Sequence, residues 1–277
     1  MSILEKFKLD NRIAIITGGG GLLGSNHAEA ILDAGGIPIL LDISQESLEH
    51  TKEKLQENHK QGVVETFCVD ITSREALLRV GNALLEKYGH IDILINNAAN
   101  NPKVEGDAAN MQNIQFENFP IELWNNDISV GLTGAFLCAQ VFGSIMAQQE
   151  NGVILNISSD LGIIAPDQRI YRKESLPDME QTVKPITYSV IKHGLLGLTK
   201  YLATYWADKG VRTNALCPGG VYNGQNDEFL AKVTNLIPMG RMADIDEYRS
   251  TVLYLVSDAS SYMNGSTVIV DGGRTCW

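Results

Sequence analysis

Thr17-Gly18-Gly19-Gly20-Gly21-Leu22-Leu23-Gly24 is the stretch that decides the fold. It follows a short apolar run and leads directly into a segment of helical periodicity. Glycines at such a turn let the backbone approach a phosphate, and the N–H groups at the start of the next helix favour negative charge. We therefore predict a nucleotide-binding turn, the alternative being a merely tight strand-to-helix connection. A Walker-type loop is excluded, because Ser25 stands where that motif needs lysine.

Asp42 closes the next apolar run, Leu40-Leu41-Asp42, some 20 residues beyond the glycines. A carboxylate at this place can accept hydrogen bonds from an adenosine ribose, and it repels a 2′-phosphate. No arginine follows within the next several residues, so the sequence favours NAD over NADP. The alternative is that Asp42 only caps the helix that follows Ser44.

The chain alternates strand-length apolar runs with longer segments of helical periodicity, which is typical of βαβ units. Strands are predicted at IAIIT, IPILL, VVETFCV, IDILIN, GVILNIS, VRTNALCP and STVIVDG, and helices over 22–35, 44–60, 73–89, 122–149 and 188–209. One core suffices for 277 residues, so we predict a single α/β domain: a doubly wound parallel sheet with helices on both faces. Two long polar insertions, 100–120 and 161–187, are expected to border the site.

Composition and charge exclude several classes of protein. A formal net charge of −11 and a pI near 4.9 repel nucleic acid, and no basic stripe offsets them. No apolar run approaches the roughly 20 residues of a membrane-spanning helix, and the first residues lack the features of a secretory signal. We predict a soluble, cytoplasmic protein that binds neither nucleic acid nor membrane. Its four cysteines show no CxxC spacing and are predicted to be reduced and structural.

Tyr188-Ser189-Val190-Ile191-Lys192 puts a tyrosine and a lysine on one face of a predicted helix. A phenol has an unperturbed pKa near 10, and each unit of lowering requires about 1.4 kcal/mol of preference for the phenolate. A nearby ammonium and a nicotinamide cation can supply that preference. The spacing alone is common on solvated helix faces, so the pair is meaningful only in combination with other motifs.

Those other motifs occur in a fixed order along the chain. They are Thr17 to Gly24, Asp70, Asn96-Asn97-Ala98-Ala99, Asn156-Ile157-Ser158-Ser159, Tyr188 to Lys192, Pro218-Gly219 and the closing Val270-Asp271-Gly272-Gly273. Together they resemble the short-chain dehydrogenase/reductase family over residues 9–273. The resemblance implies a one-domain Rossmann fold and a nicotinamide cofactor.

The resemblance also implies a role for each matching residue. Tyr188 is the expected general acid and base, and Lys192 is expected to bind the nicotinamide ribose and lower the tyrosine pKa. Ser159, the second serine of its pair, is expected to hold the substrate oxygen. Asp70 and Ile71 are expected to frame the adenine. The full set implied for the cofactor is Gly18, Gly21, Leu22, Leu23, Gly24, Asp42, Asp70, Ile71, Asn97, Ala98, Ala99, Tyr188, Lys192, Pro218, Gly219 and Val221.

The chain departs from the family pattern at several places. Leu22 and Ala99 each stand where members usually carry glycine. Gly131 stands where the family has a catalytic asparagine that holds a water in the proton relay to the lysine. A glycine keeps the backbone carbonyl, so we expect an altered relay rather than its loss. The gap between Ser159 and Tyr188 is also far longer than usual, which we attribute to substrate recognition.

The expected function is NAD(H)-dependent interconversion of a secondary alcohol and a ketone by hydride transfer. The alternative is a catalytically silent NAD(H)-binding scaffold, which the loss of the asparagine makes conceivable. Asp167, Gln168 and Arg169, with Ser159, are predicted to bind a polar hydroxylated or sugar-like substrate; the alternative is that the loop residues are only solvated. A weaker resemblance links the glycine turn and residues 165–171 to dehydrogenases of surface-sugar and flagellin-glycan pathways.

A homo-oligomer, most readily a tetramer, is the expected assembly. The two long helices carry apolar and small residues beyond what one sheet face can cover, and the family resemblance implies dimerisation through them. The closing residues 274–277 are predicted to join a second interface.

Overall fold

A computed structural model describes residues 2–100, 114–173, 176–177 and 180–277, so most of the predicted insertion at 100–120 lies outside the described residues. The strands within them are β1 (Ile13–Thr17), β2 (Ile37–Asp42), β3 (Glu65–Cys68), β4 (Ile93–Asn96), β5 (Gly152–Ile157), β6 (Val211–Pro218) and β7 (Thr267–Val270). These seven strands form one sheet in the order β3-β2-β1-β4-β5-β6-β7, and all the pairings are parallel.

Helices cover both faces of this sheet, as predicted. Alternate strand residues point to opposite faces, so Ile15 and Leu94 belong to one buried cluster while Ala14 and Ile16 belong to another. The helices are α1 (Leu22–Asp33), α2 (Gln45–Asn58), α3 (Arg74–Tyr88), α4 (Ile121–Gln148), α5 (Ile186–Tyr205), α6 (Asp227–Thr234) and α7 (Arg249–Val256). Helices α3, α4 and α5 pack into the first cluster, and α1, α2 and α7 into the second.

The predicted elements all occur, and their ends move by a few residues. The helix expected over 188–209 begins at Ile186, directly after Pro185, and ends at Tyr205 before a 3₁₀ turn. Helices α6 and α7 were not predicted. Each has eight residues, about two turns, which is too short for a clear apolar period.

Helix α4 is long and apolar for a reason that lies in the core. By length and composition it is the one described helix that could cross a membrane, with a mean hydropathy of 1.6 and 44% of its most apolar window buried. Its buried residues Cys138, Phe142 and Met146 belong to the first buried cluster, the one that also contains Ile15 and Leu94 of the sheet. Two π-helical turns, Ser129–Thr133 and Ala139–Gly143, interrupt it. We therefore interpret α4 as a core helix of the domain.

The strand order creates a crevice between β1 and β4. The chain moves outward from β1 through β2 to β3, then returns to β4 on the other side of β1. Loops that leave neighbouring strands in opposite directions open a cleft at the carboxyl edge, where doubly wound sheets bind ligands. Thr17 Oγ1 accepts the backbone N–H groups of Asn97 and Ala98, each at 3.0 Å, and so joins the two sides of the cleft.

Candidate active site

The glycine turn between β1 and α1 is so compact that side chains are sterically excluded. Gly18 has a φ of +64°, and a Cβ on Gly24 would lie 2.1 Å from the Gly18 carbonyl oxygen. The loop therefore presents bare backbone at the start of α1, a cradle that fits the phosphates of a dinucleotide. Leu22, where the family usually has glycine, begins α1 with 41% of its surface exposed, so the substitution leaves the turn intact.

Asp42 lies beside this turn at the end of β2. Its Oδ2 accepts the N–H of Gly20 at 3.1 Å, and its Oδ1 accepts the N–H of Ser44 at 3.1 Å. The cap of α2 is Ser44, whose hydroxyl accepts the N–H of Ser47 at 3.2 Å. Asp42 is thus not the helix cap, and its half-buried carboxylate is fixed next to the glycine turn, where an adenosine ribose fits.

The segment after β3 forms a wall of the crevice, and it agrees only in part with the expectation that Asp70 and Ile71 frame the adenine. Asp70 is exposed, and its Oδ1 accepts the N–H of Thr72 at 2.8 Å and its hydroxyl at 2.7 Å. The Ile71 side chain is buried in the core, and a Cβ on Gly134 would lie 2.7 Å from its Cδ1. Only the backbone of Ile71 is left to contact an adenine, because its side chain packs against α4.

The opposite wall follows β4 and β6. The Asn97 amide donates to the carbonyls of Thr17 at 3.0 Å and Gly18 at 3.3 Å, so this side chain holds the glycine turn in place. Past Pro218, the carbonyl of Gly219 accepts the Tyr248 hydroxyl at 2.9 Å. Val221 then pairs with Ala243 in an isolated bridge. The structure thus places Ala98, Ala99, Pro218, Gly219 and Val221 on the chain segments that leave the carboxyl ends of β4 and β6.

The two serines after β5 have separate tasks. The Ser158 hydroxyl donates to the Lys192 carbonyl at 2.7 Å and so ties β5 to α5. The Ser159 hydroxyl instead donates to Asp160 Oδ1 at 2.7 Å, and it lies near enough to the Tyr188 phenol to lower its pKa. Of the pair, Ser159 is therefore the serine beside the tyrosine.

Tyr188 and Lys192 sit one helical turn apart on α5, with Lys192 Nζ 5.7 Å from the centre of the tyrosine ring. The ammonium donates to the Ile157 carbonyl at 2.8 Å, and burial lowers the lysine pKa to about 8. Burial also raises the pKa of Tyr188, against the lowering effects of Ser159 and Arg274. In the protein alone the tyrosine pKa is not lowered, because desolvation outweighs the Ser159 hydroxyl and the Arg274 charge. Its lowering by Lys192 and a bound nicotinamide stays a prediction.

Comparison with known proteins agrees with this geometry. A family model described as enoyl-(acyl carrier protein) reductase matches residues 22–275. The chain belongs to the short-chain dehydrogenase/reductase family. It is 27% identical to D-threitol dehydrogenase of Mycolicibacterium smegmatis, over 99% of this chain and 97% of that protein. It is also 30% identical to post-translational flagellin modification protein A of Campylobacter coli, over 96% and 98%.

Solved structures of this family superpose over the whole domain. A gluconate 5-dehydrogenase from Burkholderia cenocepacia, in complex with NADP and tartrate, has a TM-score of 0.84 at 25% identity and covers all of both chains. NAD⁺-bound xylitol dehydrogenase has a TM-score of 0.78 at 25% identity, over 96% of this chain and all of that one. The family and the Rossmann fold predicted from the sequence are therefore confirmed.

The structure adds charged groups to the site that the family motifs do not include. Asp160 directly follows Ser159, and its Oδ2 accepts Arg274 Nη1 at 2.9 Å, with both side chains less than a tenth exposed. Lys184 Nζ lies 4.0 Å from the centre of the Tyr188 ring. Arg274, the first of the residues 274–277 that are predicted to join a second interface, is buried within the chain itself. In the sequence, Arg274 directly follows the closing glycines of the family pattern, and that position was the signal that could have identified it as a residue of the site.

Two of the three predicted substrate residues in the segment before α5 bind each other. Arg169 Nε and Nη2 donate to the two oxygens of Asp167, at 2.8 and 2.7 Å, and the arginine side chain is 84% exposed. The Gln168 side chain accepts the backbone N–H of Lys184 at 2.9 Å and donates to its carbonyl at 3.3 Å. Asp167 thus holds Arg169 in solvent in this structure, and the contact of these residues with substrate stays a prediction.

Gly131 lies within the first π-helical turn of α4, and the side chain of Ile191 occupies the space where a side chain at position 131 would lie. A Cβ on Gly131 would lie 2.8 Å from Cγ2 and 3.0 Å from Cδ1 of Ile191. Ile191 is itself buried and precedes Lys192. The space that an asparagine would fill in a typical member of the family therefore belongs to Ile191 in this chain.

We expect Gly131→Ala to lower the thermal midpoint of unfolding. Overpacking costs about 1–3 kcal/mol, which exceeds the roughly 1 kcal/mol that alanine gains over glycine in a helix. Ile191→Ala should cost less in the Gly131→Ala background than in wild type, with a coupling of at least about 0.5 kcal/mol in a double-mutant cycle measured by denaturant unfolding. Additive effects of the two substitutions would refute the shared space.

Proposed function

We propose that the protein is an NAD(H)-dependent oxidoreductase that interconverts a secondary alcohol and a ketone. The observation that carries this proposal is the grouping of Ser159, Tyr188 and Lys192 at the carboxyl edge of the sheet, beside the glycine cradle. Relatives in sequence and structure include dehydrogenases of polyols and sugar acids, which supports the same reaction type.

Each of the three residues has a distinct task in this proposal. The Tyr188 hydroxyl donates its proton to the carbonyl oxygen during reduction, and as phenolate it accepts the alcohol proton during oxidation. Ser159 holds the substrate oxygen in reach of that phenol. Lys192 binds the nicotinamide ribose and favours the phenolate through its charge. The nicotinamide, when bound, supplies or accepts the hydride.

NAD is the proposed cofactor because of the charge at Asp42. A carboxylate fixed beside the glycine turn can accept from two ribose hydroxyls, whereas a 2′-phosphate would meet it with like charge. The related structures hold NADP in one case and NAD⁺ in another, so the argument depends on this side chain.

Asp42→Asn should reduce the preference for NADH over NADPH by about tenfold or more, which corresponds to about 1.4 kcal/mol. Asparagine removes the negative charge while keeping the size of the side chain. Dissociation constants from fluorescence titration of both cofactors check this expectation. Tighter binding of NADPH than NADH by the wild type would contradict the assignment.

The proposed substrate is a polar, hydroxylated molecule such as a polyol or a sugar derivative. The groups described near Tyr188 are polar or charged, namely Ser159, Asp160, Lys184 and Arg274. D-threitol and gluconate, in the names of two relatives, are molecules of this kind.

Tyr188→Phe should abolish turnover while the dissociation constant for NADH changes less than about twofold, because only the proton-carrying oxygen is lost. Lys192→Ala should impair both catalysis and cofactor binding. The assay is NADH formation with a panel of polyols and reduction of the matching ketones. Wild-type activity in the phenylalanine variant would refute the proton-transfer role. No turnover by wild type across the panel, despite tight NADH binding, would favour the silent scaffold.

We also propose a homotetramer. Helices α4 and α5 carry exposed aromatic residues on the outside of the domain: Phe136 is 46%, Tyr201 62% and Tyr205 60% exposed. Such side chains gain most when a second copy covers them. Light scattering at micromolar concentration should give about four times the 30.3 kDa chain mass. A single 30.3 kDa species would contradict this.

A further inference from the structure

The Ser159 hydroxyl, which the proposed reaction places at an oxygen of the substrate, already donates its proton within the protein. It donates to Asp160 Oδ1 at 2.7 Å. The backbone N–H of Leu161 is shared between the same two atoms, at 2.8 Å from Asp160 Oδ1 and 3.1 Å from the Ser159 oxygen. A serine hydroxyl has one proton and two acceptor lone pairs. The proton of Ser159 is therefore in use, and one lone pair is left for a partner outside this group.

Asp160 is held as a carboxylate by a cation from the end of the chain. Its Oδ2 accepts Arg274 Nη1 at 2.9 Å, and the two side chains are 4% and 8% exposed. An ionised carboxylate only accepts hydrogen bonds. Hydrogen bonds to a charged acceptor are roughly twice as strong as those between neutral groups. The Ser159 proton would thus lose stabilisation if it turned from Asp160 to the neutral oxygen of a ketone.

The backbone of the same turn is closed by hydrogen bonds of its own. The carbonyl of Ser159 accepts the N–H of Gly162 at 2.9 Å. The carbonyl of Asp160 accepts the N–H groups of Ile163 and Ile164, at 2.9 and 3.0 Å. Both Ser159 and Asp160 are buried. The direction of the Ser159 hydroxyl is therefore set by a buried turn and not by solvent.

Tyr188, the neighbour of Ser159, does not compete for this proton when a ketone is reduced. Burial raises the pKa of Tyr188, so the phenol retains its own proton until the substrate oxygen takes it. A protonated phenol is a neutral acceptor, and the charged carboxylate of Asp160 binds the Ser159 proton more strongly. When a ketone binds, the phenol donates to the carbonyl oxygen, and Ser159 presents a lone pair to the substrate.

We propose that Asp160 is a positioning residue that makes Ser159 a hydrogen-bond acceptor toward the substrate, so that the site selects a ketone with a hydroxyl on the neighbouring carbon. A plain ketone has no donor for the Ser159 lone pair, and a buried acceptor without a donor is destabilising. An adjacent hydroxyl supplies that donor while the carbonyl oxygen lies at Tyr188. The inference rests on the proposed oxidoreductase function and specifies its substrate class: α-hydroxy ketones and, in the reverse direction, vicinal diols.

The test uses three small ketones that differ in one group, namely hydroxyacetone, fluoroacetone and acetone, each reduced with NADH. For wild type we expect kcat/KM for hydroxyacetone to exceed that for acetone by about tenfold or more, because the site lacks a donor that the hydroxyl supplies. Fluorine is similar in size to a hydroxyl and withdraws electrons more strongly, but it donates no hydrogen bond. The ratio of fluoroacetone to acetone therefore measures the electronic effect by itself.

Asp160→Asn should remove most of the preference for hydroxyacetone. Asparagine has one side-chain oxygen, whereas Arg274 and the Ser159–Leu161 group bind two. With that oxygen on the guanidinium, the amide donates to Ser159 and frees the serine proton for a carbonyl. The ratio of hydroxyacetone to acetone should fall several-fold, while acetone itself becomes no poorer a substrate and the ratio of fluoroacetone to acetone stays the same. General damage to the site would lower kcat/KM for all three ketones together.

Two further variants separate the acceptor from the stability of the turn. Ser159→Ala removes the acceptor and leaves the Asp160–Arg274 pair in place, so it should abolish the hydroxyacetone preference without help from Asp160→Asn. A serine that only donated to the carbonyl would, on removal, lower both substrates equally. Asp258→Asn is the matched control: it changes another aspartate that pairs with an arginine, Arg12 at 2.7 Å, and should leave every ratio unaltered.

Binding measurements keep the test independent of turnover. NADH fluorescence in the Tyr188→Phe enzyme should show several-fold tighter binding of hydroxyacetone than of acetone, and the difference should vanish in Ser159→Ala,Tyr188→Phe. Equal kcat/KM for the two ketones in wild type, or a ratio that neither Ser159→Ala nor Asp160→Asn changes, overturns the acceptor role and leaves the oxidoreductase function standing. A Ser159-dependent binding preference in a wild type that neither reduces these ketones nor oxidises any polyol of the panel would overturn the proposed function instead.

Discussion

The site depends on one pair of hydrogen bonds, in which the Thr17 hydroxyl oxygen accepts two backbone N–H groups. It joins the carboxyl end of β1 to the segment after β4, across the one place where the strand order reverses. Asn97 returns two hydrogen bonds from the other side, to the carbonyls of Thr17 and Gly18. The glycine turn is thus held by the same residues that form the opposite wall of the crevice, so hydrogen bonds fix the two walls relative to each other.

The fold was predictable because local signals agreed with the global arrangement. Strands such as Ile13–Thr17 are buried on both faces, and their uninterrupted apolar runs are visible without a structure. The glycine turn was equally readable, since a Cβ at Gly24 cannot be accommodated. Helices α6 and α7 were missed because eight residues carry too little periodic information.

The site was only half predictable. Tyr188 and Lys192 could be named because their spacing on one helix occurs together with the other motifs of the family. Arg274 and Asp160 are 114 residues apart in the sequence, and no local sequence pattern indicates that they form a buried ion pair. Arg169 shows the opposite case: a carboxylate two residues away binds it, because a short local loop closes at a lower entropic cost than a long one. Its contact with substrate stays a prediction.

The pair of Arg274 with Asp160 also makes the site depend on an edge of the sheet. Among the described strands, β7 is an edge strand that pairs with β6, and Arg274 follows it by a few residues. An edge strand has a partner on one side, so it opens locally at a lower free energy than a central strand does. Opening of β7 would withdraw Arg274 and leave the carboxylate beside Ser159 without its cation, so the charge at the active centre responds to fraying at the margin of the domain.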